Sequence, residues 1–217
     1  MLMKMAARVR GVFAGNYPEN REEEQIHINN RGDQIVTEGL PPLTEIVRLG
    51  GSFQVATSAA MAPLITEPTI VAGLSVWNGE PGGGKSYIIE SVACWERVVD
   101  VTQQNQLALF AMNSIVPVTA FAGALTIRSL SGKIYGGRAR AASGISVAND
   151  GWFPVGASVA GAAAVAGGAW RVHDAPLRGL YIVPPGGLFS VHAAKIAATA
   201  AQVHFCIRCH EAQIILG

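Results

Sequence analysis

The chain has 217 residues, a formal net charge of +1, 50% hydrophobic residues and only 14% charged residues. A chain with about half the usual share of charge either covers much of its surface in an assembly or aggregates, and the balance favours an assembly. The near-neutral total excludes a broad basic field for gripping nucleic acid, and three cysteines are too few for a full disulfide framework, as in a chain that folds under reducing conditions.

Met1 to Arg10 is basic, but no apolar run follows it, so a secretory signal is not expected. Residues 1–50 read as an extended N-terminal arm, separate from a domain over 51–217. Asn16 to Glu24 is polar and acidic, and Gln25 to Thr37 holds at most short extended pieces around the turn Asn29 to Asp33. Gly39-Leu40-Pro41-Pro42 then imposes an extended path, because each proline fixes its own φ and biases its predecessor away from helix. Such an arm either orders on a neighbouring protein or remains a disordered tail.

From Ser52 onward β-branched runs alternate with Gly/Pro punctuation, as in an all-β domain. Strands are predicted over Thr69 to Trp77, Tyr87 to Val101, Gln106 to Asn113 and Ala124 to Leu130, with long turns at Asn78 to Gly84 and Ser129 to Gly137. Ile145-Ser146-Val147 leads into the turn Asn149-Asp150-Gly151, and Trp152 to Val155 follows. Val155 to Trp170 is mostly Ala and Gly, too short and too weakly apolar to span a bilayer as a helix. Gly179 to Val183 and Leu188 to Ala194 are strands around the turn Pro184-Pro185-Gly186-Gly187, and Ile196 to Ala201 is a small-residue loop. In the last strand, Gln202 to Gln213, Val203, Phe205, Ile207 and Cys209 alternate with His204, Cys206, Arg208 and His210, the period of a half-buried strand. About eight strands without repeated helices predict a jelly-roll-type two-sheet β-sandwich.

Three motifs invite a chemical reading. Gly79 to Ser86 satisfies G-x-x-x-x-G-K-[ST], in which loop amides cradle phosphate, Lys85 bridges the β and γ groups and Ser86 holds Mg²⁺. That loop needs a helix after it. Ile88, Val92, Trp95 and Val99 do recur at helical spacing, but the segment is β-branched, and Arg97 to Asp100 is too close and too short to supply a metal-binding Asp. A plain turn is the expectation. Cys206-Ile207-Arg208-Cys209-His210 satisfies C-x-x-C-H, the haem attachment pattern. On a strand, however, the two thiols leave opposite faces, and His204, Cys206, Cys209 and His210 cannot converge tetrahedrally on a metal. Buried thiols are expected. Arg31-Gly32-Asp33, the integrin-recognised tripeptide, reads as local turn chemistry. His27, His173, His192, His204 and His210 form no nucleophile elbow or carboxylate pair, although His173 adjoins Asp174 and Ser190 shares a strand face with His192. No catalytic, cofactor-binding or metal-binding residue is expected, and no cofactor.

Several segments resemble a group of tailed-bacteriophage capsid-associated proteins of the decoration or cement kind. These are Arg48 to Phe53, Leu74 to Gly79, Ser86 to Val92, Gly132 to Gly137, Tyr181 to Gly187 and Cys209-His210-Glu211, together spread over most of residues 48–213. The resemblance implies a jelly roll, a trimer on the capsid surface and no cofactor. It further implies a non-enzymatic virion protein, assembled in the host cytoplasm, whose partners are the major capsid protein or other virion proteins, with no direct nucleic acid and no membrane. The arm before Arg48 lies outside it. Two other functions fit parts of the sequence: a receptor- or glycan-binding head of a phage fibre or spike, using Trp77, Trp95, Trp152 or Trp170, and a P-loop nucleotide-binding protein.

Overall fold

The period-two run that ends the β-rich region marks a strand buried on one face, and the architecture is organised around it. A computed structural model of the chain describes residues 44–98, 106–115, 125–159, 171–195 and 202–214, all within the unit Pro42–Gly217. The arm through residue 43, with Arg31 to Asp33, lies outside the described residues, as do Trp170 and the loop 196–201. The elements are a short helix, α1 (Thr44–Arg48), and ten strands: β1 (Ser52–Ala56), β2 (Val71–Asn78), β3 (Ser86–Val98), β4 (Gln106–Ser114), β5 (Arg128–Ser129), β6 (Ala139–Ser146), β7 (Phe153–Val159), β8 (Arg171–Val183), β9 (Leu188–Lys195) and β10 (Gln202–Ala212).

The strands form two antiparallel five-stranded sheets, ordered β5-β1-β10-β3-β8 and β6-β2-β9-β4-β7. The pairing is nested: β1 with β10, β2 with β9, β3 with β8 and β4 with β7. One long hairpin is rolled so that successive pairs alternate between sheets, which is the jelly-roll topology. The two strands beyond the expected eight, β5 and β6, come from the closed end of that hairpin and extend the sheets outside β1 and β2. The all-β sandwich predicted from the sequence is therefore present.

Strand by strand, the differences have physical causes. Ala124 to Leu130 supplies only the two-residue β5, because Leu125 and Ile127 pack against the core from a loop. The Ala-rich β6 and the first half of β8, around His173-Asp174-Ala175-Pro176, lack the β-branched signal and owe their strand state to neighbours. Pro176 is tolerated because β8 is an edge strand. Residues 44–48, read from sequence as arm, form α1. Gly50 at φ 83 closes it, with Gly51 N–H donating to Ile46 O and Gly50 N–H to Val47 O, both at 2.9 Å.

Inward positions of both sheets meet in one core. Phe53, Val55, Leu74, Val76, Tyr87, Ile89, Phe189 and Val191 join Val203, Phe205, Ile207 and Cys209 of β10, all essentially solvent-free. Full burial of each large side chain contributes about 1.5–3 kcal/mol before chain entropy is counted. In β3 the inward phase runs through Tyr87 and Ile89 and resumes at Val92 and Cys94. Glu90 is skipped in the pairing with both β10 and β8, so it is a bulge that resets the alternation. Opposite that bulge, β8 itself bulges over 177–180, with Arg178 at φ 49 and Gly179 at φ 80.

A second cluster lies on the other face of the β6-β2-β9-β4-β7 sheet, where Met112 and Leu188 pack with Ala72, Ala142, Val147 and Trp152. The connection 147–152 links one edge strand of this sheet, β6, to the other, β7, and so crosses its outer face. It is tied down by Val147 N–H to Ile70 O at 2.8 Å, Trp152 Nε1–H to Thr69 O at 2.9 Å, and the Ser114 hydroxyl on the Asp150 carboxylate.

Candidate functional site

Two of the sequence motifs, Gly79 to Ser86 and the end of Cys206 to His210, lie towards one end of the sandwich, where the β2–β3 loop, the β8–β9 turn and the end of β10 meet. Asn78, fully buried at the end of β2, holds them together. Its Nδ2 donates to Lys85 O and to Val183 O, each at 2.9 Å, and its Oδ1 accepts the Glu80 amide at 3.0 Å. Its backbone exchanges hydrogen bonds with Gly186 and Gly187. A buried amide with every donor and acceptor used adds rigidity without an unsatisfied group.

This geometry removes the nucleotide reading of Gly79 to Ser86. A strand, β3, begins at Ser86 where a phosphate loop needs a helix. Lys85, half exposed, donates to Glu211 Oε2 at 2.8 Å, and that contact raises the pKa of its ammonium. The lysine is thus committed to a carboxylate that is itself only 5% exposed.

Glu211 also accepts from the Tyr135 hydroxyl at 2.8 Å, and the same hydroxyl accepts the Ala139 amide at 3.2 Å. The Tyr135 ring packs on Phe53 with centroids 4.8 Å apart, and burial raises the pKa of its phenol. Gly137 is needed here because a Cβ would collide with the Tyr135 hydroxyl and the Glu211 carboxylate. Leu130 N–H to Ser52 O, at 3.0 Å, fixes the other side of the same loop. Between these anchors Ile134 stands 97% exposed. The loop is held rigidly at its base and presents an apolar tip.

The last strand behaves as its alternation predicts. Cys209 lies in the core, and Cys206 lies on the opposite face, 9% exposed. All three thiols are free, and burial raises the pKa of each. His210 Nδ1 sits 2.9 Å from Glu90 Oε1 without hydrogen-bond geometry, and burial lowers the pKa of this imidazole while the Glu90 carboxylate opposes that shift. His204 stacks on Trp95 at 5.0 Å with rings 10° apart.

Neither candidate for nucleophilic chemistry assembles. Ser190 shares a hydrogen bond with Ser75 at 2.8 Å, and His192 Nδ1 accepts the Ala193 amide at 2.8 Å, so both partners are spent within the sheet. Asp174 lies 3.6 Å from Arg208. Among the described residues no group of three or more His, Cys, Asp or Glu could hold a metal ion, and no helix is long and apolar enough to cross a membrane. Sequence reasoning missed a buried ion pair between the sheets, Lys195 Nζ to Glu96 Oε1 at 3.5 Å, with both side chains at most 2% exposed. Lys195, the one Lys, Arg, Asp or Glu in β9, was the available signal; in β3, Glu90 and Arg97 accompany Glu96 and hide it. A cleft of about 320 Å³ also opens between β7 and β8, floored by Leu107 and Leu109.

No family model and no curated protein matches the chain. Among solved structures, the cryo-electron-microscopy structure of Mud Crab Dicistrovirus aligns over 97% of this chain and 89% of that one, with 10% identity and a TM-score of 0.24. The structure of a marine algae virus of the order Picornavirales aligns over 100% and 92%, with 13% identity and a TM-score of 0.24. Similarity at that level transfers neither fold detail nor function, and the jelly-roll assignment rests on the strand order of this chain.

Proposed function

We propose that the chain is a structural subunit of a virion, acting through protein–protein contacts without catalysis. The observation that carries this reading is the presentation of large apolar side chains on a firmly anchored jelly roll. Ile134, Leu180 and Ile115 are 97%, 81% and 79% exposed in a chain with only 14% charged residues. Apolar side chains held out on ordered backbone contribute to binding with little ordering cost, and charge is depleted at interface cores. Jelly rolls serve several functions, so the fold alone does not select this one.

The finer reading is a capsid decoration or cement subunit that binds the major capsid protein of a tailed phage as a homotrimer, with residues 1–50 as an arm that engages its neighbours. It rests on the segment resemblance from Arg48 to Glu211. The glycan-binding alternative is disfavoured by the described tryptophans: Trp152 is buried, Trp77 is partly buried, with its indole N–H on Gly186 O and Arg140 over its ring, and Trp95 is partly buried and stacked on His204. The test is peptide mass spectrometry and cryo-electron microscopy of purified particles from the source. Stoichiometric recovery of the chain in the shell, with density for a two-sheet sandwich, is the expected result. Recovery only in the particle-free fraction would defeat the proposal.

A further inference from the structure

With the nucleotide reading removed, the Gly79 to Ser86 motif has no part in chemistry, yet both of its ends reach the loop 130–138 that carries Ile134. Within 132–138 every residue except Tyr135 is exposed, so the tip of that loop has a single side chain turned inward. The Tyr135 hydroxyl donates to Glu211 Oε1 at 2.8 Å and accepts the Ala139 amide at 3.2 Å. The other carboxylate oxygen, Oε2, accepts from Lys85 Nζ at 2.8 Å. One carboxylate therefore joins the lysine of the motif to the tyrosine of the loop. At the opposite end of the motif, Gly79 lies so near the loop that an added Cβ would stand 2.5 Å from Arg138 O. The span between these ends is itself closed, by Gly84 N–H to Pro81 O at 2.8 Å and by Gln213 Nε2–H to Gly83 O at 2.9 Å.

We infer that the glycine-rich loop is a clamp that sets the position of the Ile134 loop: Gly79 seats the Arg138 carbonyl, and Lys85 aims the Glu211 carboxylate at Tyr135. The physical case turns on Glu211. Its side chain is only 5% exposed, so little water is at hand to replace the lysine on Oε2. A carboxylate deprived of Lys85 turns outward to recover solvent, and Tyr135 loses its acceptor. Lys85 is thus a positioning residue that acts through Glu211. Glycine is required at 79 for the close approach, because any side chain there would push the Arg138 carbonyl or the Trp77 ring aside. A sequence pattern that elsewhere cradles phosphate has here a different reason to combine tight glycines with a lysine. The inference concerns the loop in the isolated chain, so it and the virion reading can fail separately.

The test is nitrogen-relaxation NMR of the full chain. The Ile134 amide is expected near the order parameter of rigid backbone, about 0.85, in the wild type and below about 0.6 in Lys85→Ala, Gly79→Ala and Tyr135→Phe. Amides of β9 should stay near about 0.85 in every variant, which shows an intact fold and a local loss. Lys85→Arg keeps a cation within reach of Glu211 and should preserve the order. Combining Lys85→Ala with Tyr135→Phe should lower it no further than either alone, because both break one chain of contacts. A wild-type loop already below about 0.6 would overturn the proposal, as would an ordered Ile134 in Lys85→Ala or Gly79→Ala. So would a Lys85→Arg loop as disordered as that of Lys85→Ala, a further loss in the double variant, or a loss of order in β9 that matches the loss in the loop.

Discussion

Substituting the buried pair Glu96–Lys195 tests how the two sheets are held together. At 3.5 Å and an effective dielectric constant of about 20, the Coulomb attraction is about 5 kcal/mol. The separation exceeds that of a good charge-assisted hydrogen bond, and Glu96 Oε2 is buried without a partner. Desolvating two ions costs several kcal/mol each, so the pair as a whole contributes little or is unfavourable. Removing one member is different. Lys195→Met leaves an uncompensated buried carboxylate and should cost about 3–5 kcal/mol, with a similar loss for Glu96→Leu. The double substitution places apolar groups of similar size between two apolar walls and should recover most of that loss. Urea unfolding at neutral pH, followed by circular dichroism for the wild type, both single variants and the double, gives the coupling energy directly. Additive losses in the double variant would refute the reasoning, as would single substitutions costing under about 1 kcal/mol.

Three further outcomes follow from groups already described. Lys85→Ala should lower stability by about 1 kcal/mol, more than its own half-exposed position suggests, because it takes a donor from the buried Glu211 carboxylate; the same variant should leave calorimetric titration with ATP unchanged at baseline. Burial lowers the pKa of His192 below 6.5, so the unfolded chain binds this proton more readily than the folded one. Its contribution is present above pH 6.5 and is lost as pH falls through the lower folded-state value, so urea midpoints should drop over that window and His192→Phe should flatten the drop. Burial raises the pKa of Cys94, Cys206 and Cys209, so all three thiols should resist alkylation in the native protein and react together on unfolding, as mass spectrometry would record.

Much of the sandwich is legible in the sequence where one face of a strand is apolar and the other is not. Val203, Phe205, Ile207 and Cys209 identify β10 and its buried face, and Pro184 to Gly187 identifies the turn before β9. The same local signal fails where neighbours decide the conformation. Ala139, Arg140, Ala141 and Ala142 carry little intrinsic strand preference, yet they complete a sheet because β2 offers its edge. The bulge at Glu90 is invisible in a strand that reads as one β-branched run. The loop end was half legible: the glycines of 79–84 announced a turn, but nothing local marks Glu211 as the partner of both Lys85 and Tyr135. Those contacts span 126 and 76 positions, and only the rolled topology brings them together.

That topology sets a timetable for synthesis. β10 lies between β1 and β3 and hydrogen-bonds to both, so two strands made early have no central partner until residues 202–212 leave the ribosome. Phe53 of β1 pairs with Cys209; at about 5–20 residues per second, the wait between them is on the order of 8–30 s. During that interval the apolar faces of β1, β2 and β3 have no completed sheet to lie in, and their edges are open to other nascent chains. Folding is then gated by the last strand to emerge, so premature release before residue 202 yields a chain for chaperone capture or degradation and not a smaller stable domain.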